Sequence, residues 1–335
     1  MRSSTWYRTV GFKRRILFRV VLASCLSVLN TLVWSQDFPV KPVRVIIPYA
    51  PGGPVDITGR ILTQRLAEQW AQPVLVDNRP GAGGMIGTEI VAKSTPDGYT
   101  LLMGTLNEFA INPAVFSRVP YDPVKGFAAI SLITRNPMVI AANDKMPFNS
   151  LKELINQAKS KPGEMAWASA GNGSMNHVAG EWFAADAGLK LLHIPYKGGA
   201  AAGNAILTGE VSFGVIALVQ ALGSSKAGSM KIFAVTTEKR SPLAPDLPTA
   251  AELGVSGFDA AVRSAVFAPV GTPRERVMKV SADLNRILQS AEIREKFAAM
   301  GVEAVGSTPE DLEAAIAKEA KTIAKVVSQA KIKVQ

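Results

Sequence analysis

The chain has 335 residues, 47% of them hydrophobic and 19% charged, with a formal net charge of +10. That length is too great for one small core and suits two domains or one large one, and the composition excludes a low-complexity or disordered chain. The charge sits at the N-terminus: six basic residues (Arg2, Arg8, Lys13, Arg14, Arg15 and Arg19) precede the first acidic one, Asp37.

Without residues 1–35, Lys plus Arg falls from 37 to 31 against 27 Asp plus Glu, so the net charge drops to +4. No basic run remains, which removes the main support for nucleic-acid binding. The apolar run VVLASCLSVLNTLV (Val20 to Val33) and the small-residue exit VWSQDFP follow the basic stretch. This order is that of an export signal peptide over residues 1–35, with cleavage near Ser35 and a periplasmic destination. The run is shorter than the ~20 residues a spanning helix needs, which counts against an uncleaved anchor. Leu22-Ala23-Ser24-Cys25 also resembles a lipoprotein box, and Lys13-Arg14-Arg15 a twin-arginine export motif. Cys25 is the only cysteine, so the mature chain has no disulfide, thiolate metal site or cysteine nucleophile.

Strand-like runs then alternate with helical patterns: Val43–Pro48, Val74–Asp77, Thr100–Met103, Ile130–Ile133, Met138–Ala142, Met165–Ala168, Leu191–Ile194, Val211–Ile216, Ile232–Val235 and Ala265–Ala268. Ser150 with Glu153, and Thr272-Pro273 with Glu275, read as capping boxes. Thr308-Pro309-Glu310-Asp311 opens a last helix with Leu312, Ile316, Ile323 and Val327 at helical spacing. Such alternation predicts an α/β fold with doubly wound parallel sheets. The extended runs Ala129–Ala142 and Ala260–Pro269 suit a two-strand hinge. They would divide the chain into a discontinuous first domain, 36–136 plus 261–335, and a second domain, 137–260.

Ligands of such sheets bind beyond the carboxyl ends of the strands, where the chain turns into a helix. In VIIPYAPGGPVDITGRIL (Val45 to Leu62), glycines allow close approach to backbone N–H groups and the next helix aims its positive end there. Asp56 in its first turn reads more readily as a cap than as a ligand. Ser169-Ala170-Gly171-Asn172-Gly173-Ser174 repeats the logic before a second helix. A nucleotide loop is excluded: PGGPVD lacks the P-loop lysine and spacing, and in Gly81-Ala82-Gly83-Gly84-Met85-Ile86-Gly87 Ile86 stands where a dinucleotide fingerprint needs glycine. There is no nucleophile elbow. His177 and Glu181 share a helix face, but two ligands do not make a zinc site, and His193 reads as a strand residue. Two anion turns without catalytic groups point to binding, with no cofactor and no metal.

The segments YAPGGPVDITGR, VLVDNRPGAGGMIGTEIVAKSTPDGYTLLMGT, INPAVF, ASAGNGSMNHVAGE, HIPYKGGAAAGNAILTGEV, RSPLAPDLPTAAELGVSGF and FAPVGTPRERV resemble the Bug-type receptors of tripartite tricarboxylate transporters, from about Phe38 onward. The resemblance implies a two-domain periplasmic binding protein of type II-like architecture with an interdomain cleft. Such a protein is a monomer, not an enzyme, that delivers a small organic carboxylate to membrane transporter subunits. Family binding positions map to Tyr49, Pro51, Gly52, Gly53, Asp56, Thr105, Asn107, Ala170, Gly171, Asn172, Gly173, Ser174 and His177. The chain departs from the family at Ser212, where an acidic residue is usual, and at Arg263, where Trp is common. Arg263 then reads either as a cationic fork for a ligand carboxylate, with a less polar wall admitting an aromatic or dicarboxylic acid, or as a solvated rim residue. A sensory subunit with the same binding domain, or an α/β enzyme, are the alternative readings.

Overall fold

Alternation of strand and helix carries through the computed structural model, which describes residues 38–255 and 258–332. The expected signal peptide, with Cys25 and the cleavage point near Ser35, lies outside the described residues. The strands are β1 (Val43–Ile47), β2 (Val74–Asn78), β3 (Thr100–Thr105), β4 (Phe127–Asn143), β5 (Ala166–Ser169), β6 (Leu192–Pro195), β7 (Phe213–Ala217), β8 (Met230–Val235), β9 (Ala261–Pro269) and β10 (Glu303–Ala304). The helices are α1 (Pro54–Trp70), α2 (Met85–Ala92), α3 (Asn107–Ala110), α4 (Asn112–Val115), α5 (Leu151–Ser160), α6 (Met175–Ala187), α7 (Gly199–Thr208), α8 (Leu218–Lys226), α9 (Arg274–Gln289), α10 (Ala291–Ala299) and α11 (Pro309–Ala330). Among the described residues, no helix is long and apolar enough to cross a membrane.

The hydrogen-bonded strand order is β2-β1-β3-β9-β4-β7-β5-β6, with β8 and β10 also pairing to β4. Strands β1, β2 and β3 run parallel, as do β5, β6 and β7, the pattern that crossover helices impose. Strand β9 is antiparallel to both β3 and β4. Strand β4 belongs to both groups: Phe127 to Pro137 pair with β9, and Met138 to Ala142 pair with β7. The extended runs 129–142 and 260–269 thus correspond to β4 and β9, the two longest strands.

Two local expectations are corrected. Ile130–Ile133 and Met138–Ala142 are one continuous strand, not two, because Pro137 falls at the exchange of partners. Its pairing with β9 ends there and pairing with β7 begins one residue later, so the missing N–H disrupts neither ladder. Thr272 is not an N-cap: its hydroxyl donates to Pro269 O at 2.8 Å, and α9 starts after Pro273 without a capping side chain. The other caps form, with Glu153 N donating to Ser150 Oγ at 3.2 Å and Asp311 N to Thr308 Oγ1 at 3.1 Å.

The described residues from 41 onward form one compact unit. A large core within 41–335 gathers Trp167, Phe183, Phe213 and Phe258 with Ile323 and Val326 of α11. Helix α6 approaches the fully buried Trp167 so closely that a Cβ at Gly180 would lie 2.0 Å from the indole. Gly180→Ala should therefore destabilise the fold by about 1–3 kcal/mol through overpacking. A chemical denaturation midpoint equal to that of the parent protein would refute this.

Candidate functional site

The first turn is built around Asp56. Gly52 has φ +83, a left-handed conformation that glycine adopts without strain. Its N–H donates to Asp56 Oδ2 at 2.9 Å. The same carboxylate accepts from Arg60 Nε at 3.0 Å and Asn78 Nδ2 at 2.9 Å, and Asn78 Nδ2 also donates to Tyr49 O. Burial pushes the Asp56 carboxyl up, but hydrogen bonds from Arg60, Gly52 and Asn78 together bring it below the ordinary aspartate value. Asp56 is thus the clasp of the turn, in accord with its reading as a cap. It takes one of the two glycine N–H groups expected for a ligand, while the Gly53 N–H has no partner among the described residues.

The Tyr49 hydroxyl reaches across to the end of β3. It lies 2.9 Å from Thr105 Oγ1 and is hydrogen-bonded to Glu108 Oε1. Glu108, wholly buried, also accepts from Thr105 N at 2.8 Å and Thr105 Oγ1 at 2.9 Å. Asn107 contributes its N–H to Thr105 Oγ1 at 3.2 Å. Burial pushes the Glu108 carboxyl up, against these hydrogen bonds, and burial followed by Glu108 itself pushes the Tyr49 hydroxyl well above the ordinary tyrosine range. Gly84, with φ +90, packs its Cα on this carboxyl, where a Cβ would come within 2.3 Å of Oε1. The glycine cluster that fails as a nucleotide fingerprint makes room for a buried acid.

The second turn organises itself around Ser174, the N-cap of α6. Ser174 Oγ donates to Gly171 O at 2.7 Å and accepts from His177 N at 3.1 Å. Gly171 N is taken by Ser169 Oγ at 3.1 Å and Gly173 N by His177 Nδ1 at 3.2 Å, leaving Asn172 N–H without a partner among the described residues. Burial lowers both His177 and His193 to about 4, so each is a neutral imidazole at neutral pH. His193, read from sequence as a bystander, joins His177 and Glu181, with one ligand atom of each within 4.8 Å of the others. The two imidazoles are stacked at 4.2 Å with planes 11° apart, and His193 stacks in turn on Trp167. In-plane lone pairs on near-parallel rings do not converge on one point, as a tetrahedral ion needs. Trp167, His193 and His177 form an aromatic stack, with Glu181 beside the imidazoles.

Arg263, on β9, is only 12% exposed and donates to two carboxylates of its own chain: Asp259 at 2.8 Å and Glu319 of α11 at 2.9 Å. Glu319 is 9% exposed, and its Oε1 has no hydrogen-bond partner. Burial pushes its carboxyl up to about 7 against the attraction of Arg263. These groups line a cavity of about 430 Å³ together with Met175, Trp182 and Phe258. Arg263 is therefore not a solvated rim residue, and a ligand carboxylate reaching it would share it with two internal ones.

Residues 58–332 match the Tripartite tricarboxylate transporter family receptor. The chain belongs to this receptor family. Protein BugT of Bordetella pertussis is 36% identical over 298 residues, covering 89% of this chain and 91% of BugT. An R. palustris protein solved with adipate is 33% identical with a TM-score of 0.79, over 89% of this chain and 99% of that one. MatC of Rhodopseudomonas palustris with bound malate is 30% identical with a TM-score of 0.74, over 87% and 100%. The fold is accordingly the α/β fold of solute-binding receptors, and the family and these neighbours are receptors, not enzymes.

In this receptor the expected residues fall into three local groups. Tyr49, Thr105 and Asn107 meet through hydrogen bonds; Gly52 and Asp56 close the first turn; Gly171, Gly173, Ser174 and His177 close the second. No hydrogen bond joins the first turn to the second among the described residues, and Arg263 belongs to the cavity beside α11. Glu108 was missed by sequence reasoning. Its signal is an isolated acid inside the apolar run LNEFAINPAVF, directly after a strand end marked for binding.

Proposed function

We propose that this chain is a periplasmic receptor that captures a small organic carboxylate and delivers it, as a monomer, to membrane subunits of a tripartite tricarboxylate transporter. The two lobes run over 36–136 with 261–335 and over 137–260, with β4 and β9 as the hinge. The ligand lies between the first turn, at Tyr49, Pro51, Gly52 and Gly53, and the second, at Ala170 to Ser174. The observation that carries this reading is that each turn keeps an unspent N–H, at Gly53 and at Asn172, next to the start of a long helix. Such a pair suits an acid with a carboxylate at each end, since a helix start favours an anion by ~0.3–1 kcal/mol, rising to ~2 when partly buried. The neighbours solved with adipate and malate agree with a dicarboxylate.

Thermal denaturation with a panel of dicarboxylates and aromatic acids tests the proposal. At one hundred times its dissociation constant a true ligand adds ~2.7 kcal/mol and raises the melting temperature. Adipate and malate are expected to rank above monocarboxylates of equal length, and a panel in which no acid shifts the transition would overturn the reading.

A further inference from the structure

The strand-to-helix junction after β3 has a feature that the binding reading does not use. Three oxygen-bearing side chains make a closed triangle: Tyr49 Oη to Thr105 Oγ1 at 2.9 Å, Thr105 Oγ1 to Glu108 Oε2 at 2.9 Å, and Glu108 Oε1 back to Tyr49 Oη. Each contact needs one proton between its oxygens, because two lone pairs held at that distance repel. The phenol brings one proton and the threonine hydroxyl another. The Asn107 and Thr105 amides also donate into the triangle, but along other directions, to Oγ1 and Oε2. An ionised Glu108 brings none, so one side of the triangle would stand without a proton. A protonated Glu108 brings the third.

We propose that Glu108 is held as the neutral carboxylic acid, that its proton closes this ring, and that it thereby acts as a positioning residue that keeps the Tyr49 end of the first turn free of negative charge for an anionic ligand. The last clause rests on the proposed function; the first two do not.

The ring has a direction. Glu108 Oε2 already accepts from Thr105 N as well as from Thr105 Oγ1, which suits a carbonyl oxygen. The proton therefore sits on Oε1 and is donated to Tyr49 Oη; Tyr49 donates to Thr105, and Thr105 donates to Oε2. Tyr49 has then used its only proton inward and holds the ring in place without donating to a ligand. The surroundings agree. Glu108 is wholly buried and forms no ion pair among the described residues. The titratable groups facing it are Tyr49, from the turn after β1, and Tyr121, whose hydroxyl donates to Glu108 O at 2.8 Å. From the other sides it meets Gly84 and Gly104, which bring no charge. Burial raises the carboxyl, which favours the same protonation state.

Glu108→Gln separates the proposal from its alternative. An amide supplies an N–H for Tyr49 and a carbonyl for Thr105, so the ring survives with no ionisable proton. In the infrared difference between parent and Glu108→Gln at about pH 7, a protonated-carboxyl carbonyl band should belong to the parent alone. Only carboxylate bands in that difference would overturn the proposal. A second readout needs no ligand. A carboxyl whose folded pKa is raised gives stability that is present below its unfolded value and lost as pH rises through the folded one. The stability difference between Glu108→Gln and parent should thus shift in favour of the variant as pH rises, and a constant difference would count against the neutral acid. Adipate titrations form the third arm. Parental affinity should fall at alkaline pH, approaching about tenfold per unit where binding requires the protonated acid, while Glu108→Gln holds the parent's low-pH affinity throughout. If no acid binds either protein, the receptor reading fails while the spectrum and the stability series still decide the state of Glu108. Parallel affinity profiles in both proteins would remove its role towards the ligand.

Discussion

Arg263→Ala is expected to destabilise the receptor by roughly 3–5 kcal/mol at about pH 8, the range for removing one partner of a buried ion pair. The reason lies in what is left behind. Asp259 is a quarter exposed and can turn to water, but Glu319 is 9% exposed and already has one oxygen without a partner. Taking away the guanidinium leaves a buried carboxylate with nothing to offset its desolvation. The group has one escape, which is to take up a proton, and this gives the prediction a pH signature.

In the parent protein burial pushes Glu319 up to about 7, above the 4.5 of an ordinary glutamate. The folded state therefore holds a proton that the unfolded chain has released. Stability from this group is fully present below about 4.5 and is lost as pH rises through about 7. Arg263 is the attraction that holds the value down, so in Arg263→Ala it rises further and the loss extends to higher pH. The difference between variant and parent should therefore grow by up to about 1.4 kcal/mol between mild acid and pH 8, the rest of the loss being independent of pH. Urea unfolding across that range measures it, and adding Glu319→Gln to Arg263→Ala should abolish the pH-dependent part of the loss. A pH-independent difference would mean that Glu319 does not depend on Arg263.

How far the sequence was legible follows from how local each signal is. The β1 turn, the Ser150 and Thr308 caps and the long β4 and β9 runs rest on neighbours within a few residues, and the structure has them. The failures lie where a long-range contact decided the matter. His193 lies outside any local pattern, yet its register opposite Trp167 sets it on His177. Arg263 advertises a cation for a ligand, and only the approach of α11, more than fifty residues later, reveals Glu319 beside it. Glu108 is the same case. Its partners Tyr49 and Gly84 come from the turn after β1 and the glycine cluster, neither of which suggests a buried acid until the strands are assembled.

Asp56→Ala carries the largest expected effect on the first turn. Its carboxylate is 2% exposed and is the shared acceptor for Gly52 N, Asn78 Nδ2 and Arg60 Nε. Arg60 is about half exposed and turns to solvent at little cost, so the pair with it counts for little. Asn78 is half-buried and Gly52 is exposed, where water can take over its N–H, so losing these two hydrogen bonds costs about 0.5–1.5 kcal/mol each, or about 1–3 kcal/mol together. The parent's own pH dependence has the opposite sign to that of Glu319. The folded value of Asp56 is depressed, so its contribution is present above the ordinary aspartate value of 3.8 and is lost as pH falls through the lowered one. Asp56→Ala should therefore flatten the acid limb of the stability curve. For binding, two effects of the substitution oppose each other. It frees the Gly52 N–H for a ligand carboxylate, and it releases the clasp that fixes Gly53 and, through Asn78, the Tyr49 carbonyl. One added hydrogen bond to a charged group is worth about 1.5–3 kcal/mol only when its donor is already held in place. A turn with three loosened contacts does not hold it, so adipate affinity should fall by more than about tenfold, or about 1.4 kcal/mol. Calorimetric titration that found tighter binding instead would show that Asp56 competes with the ligand for Gly52 and does not build the site.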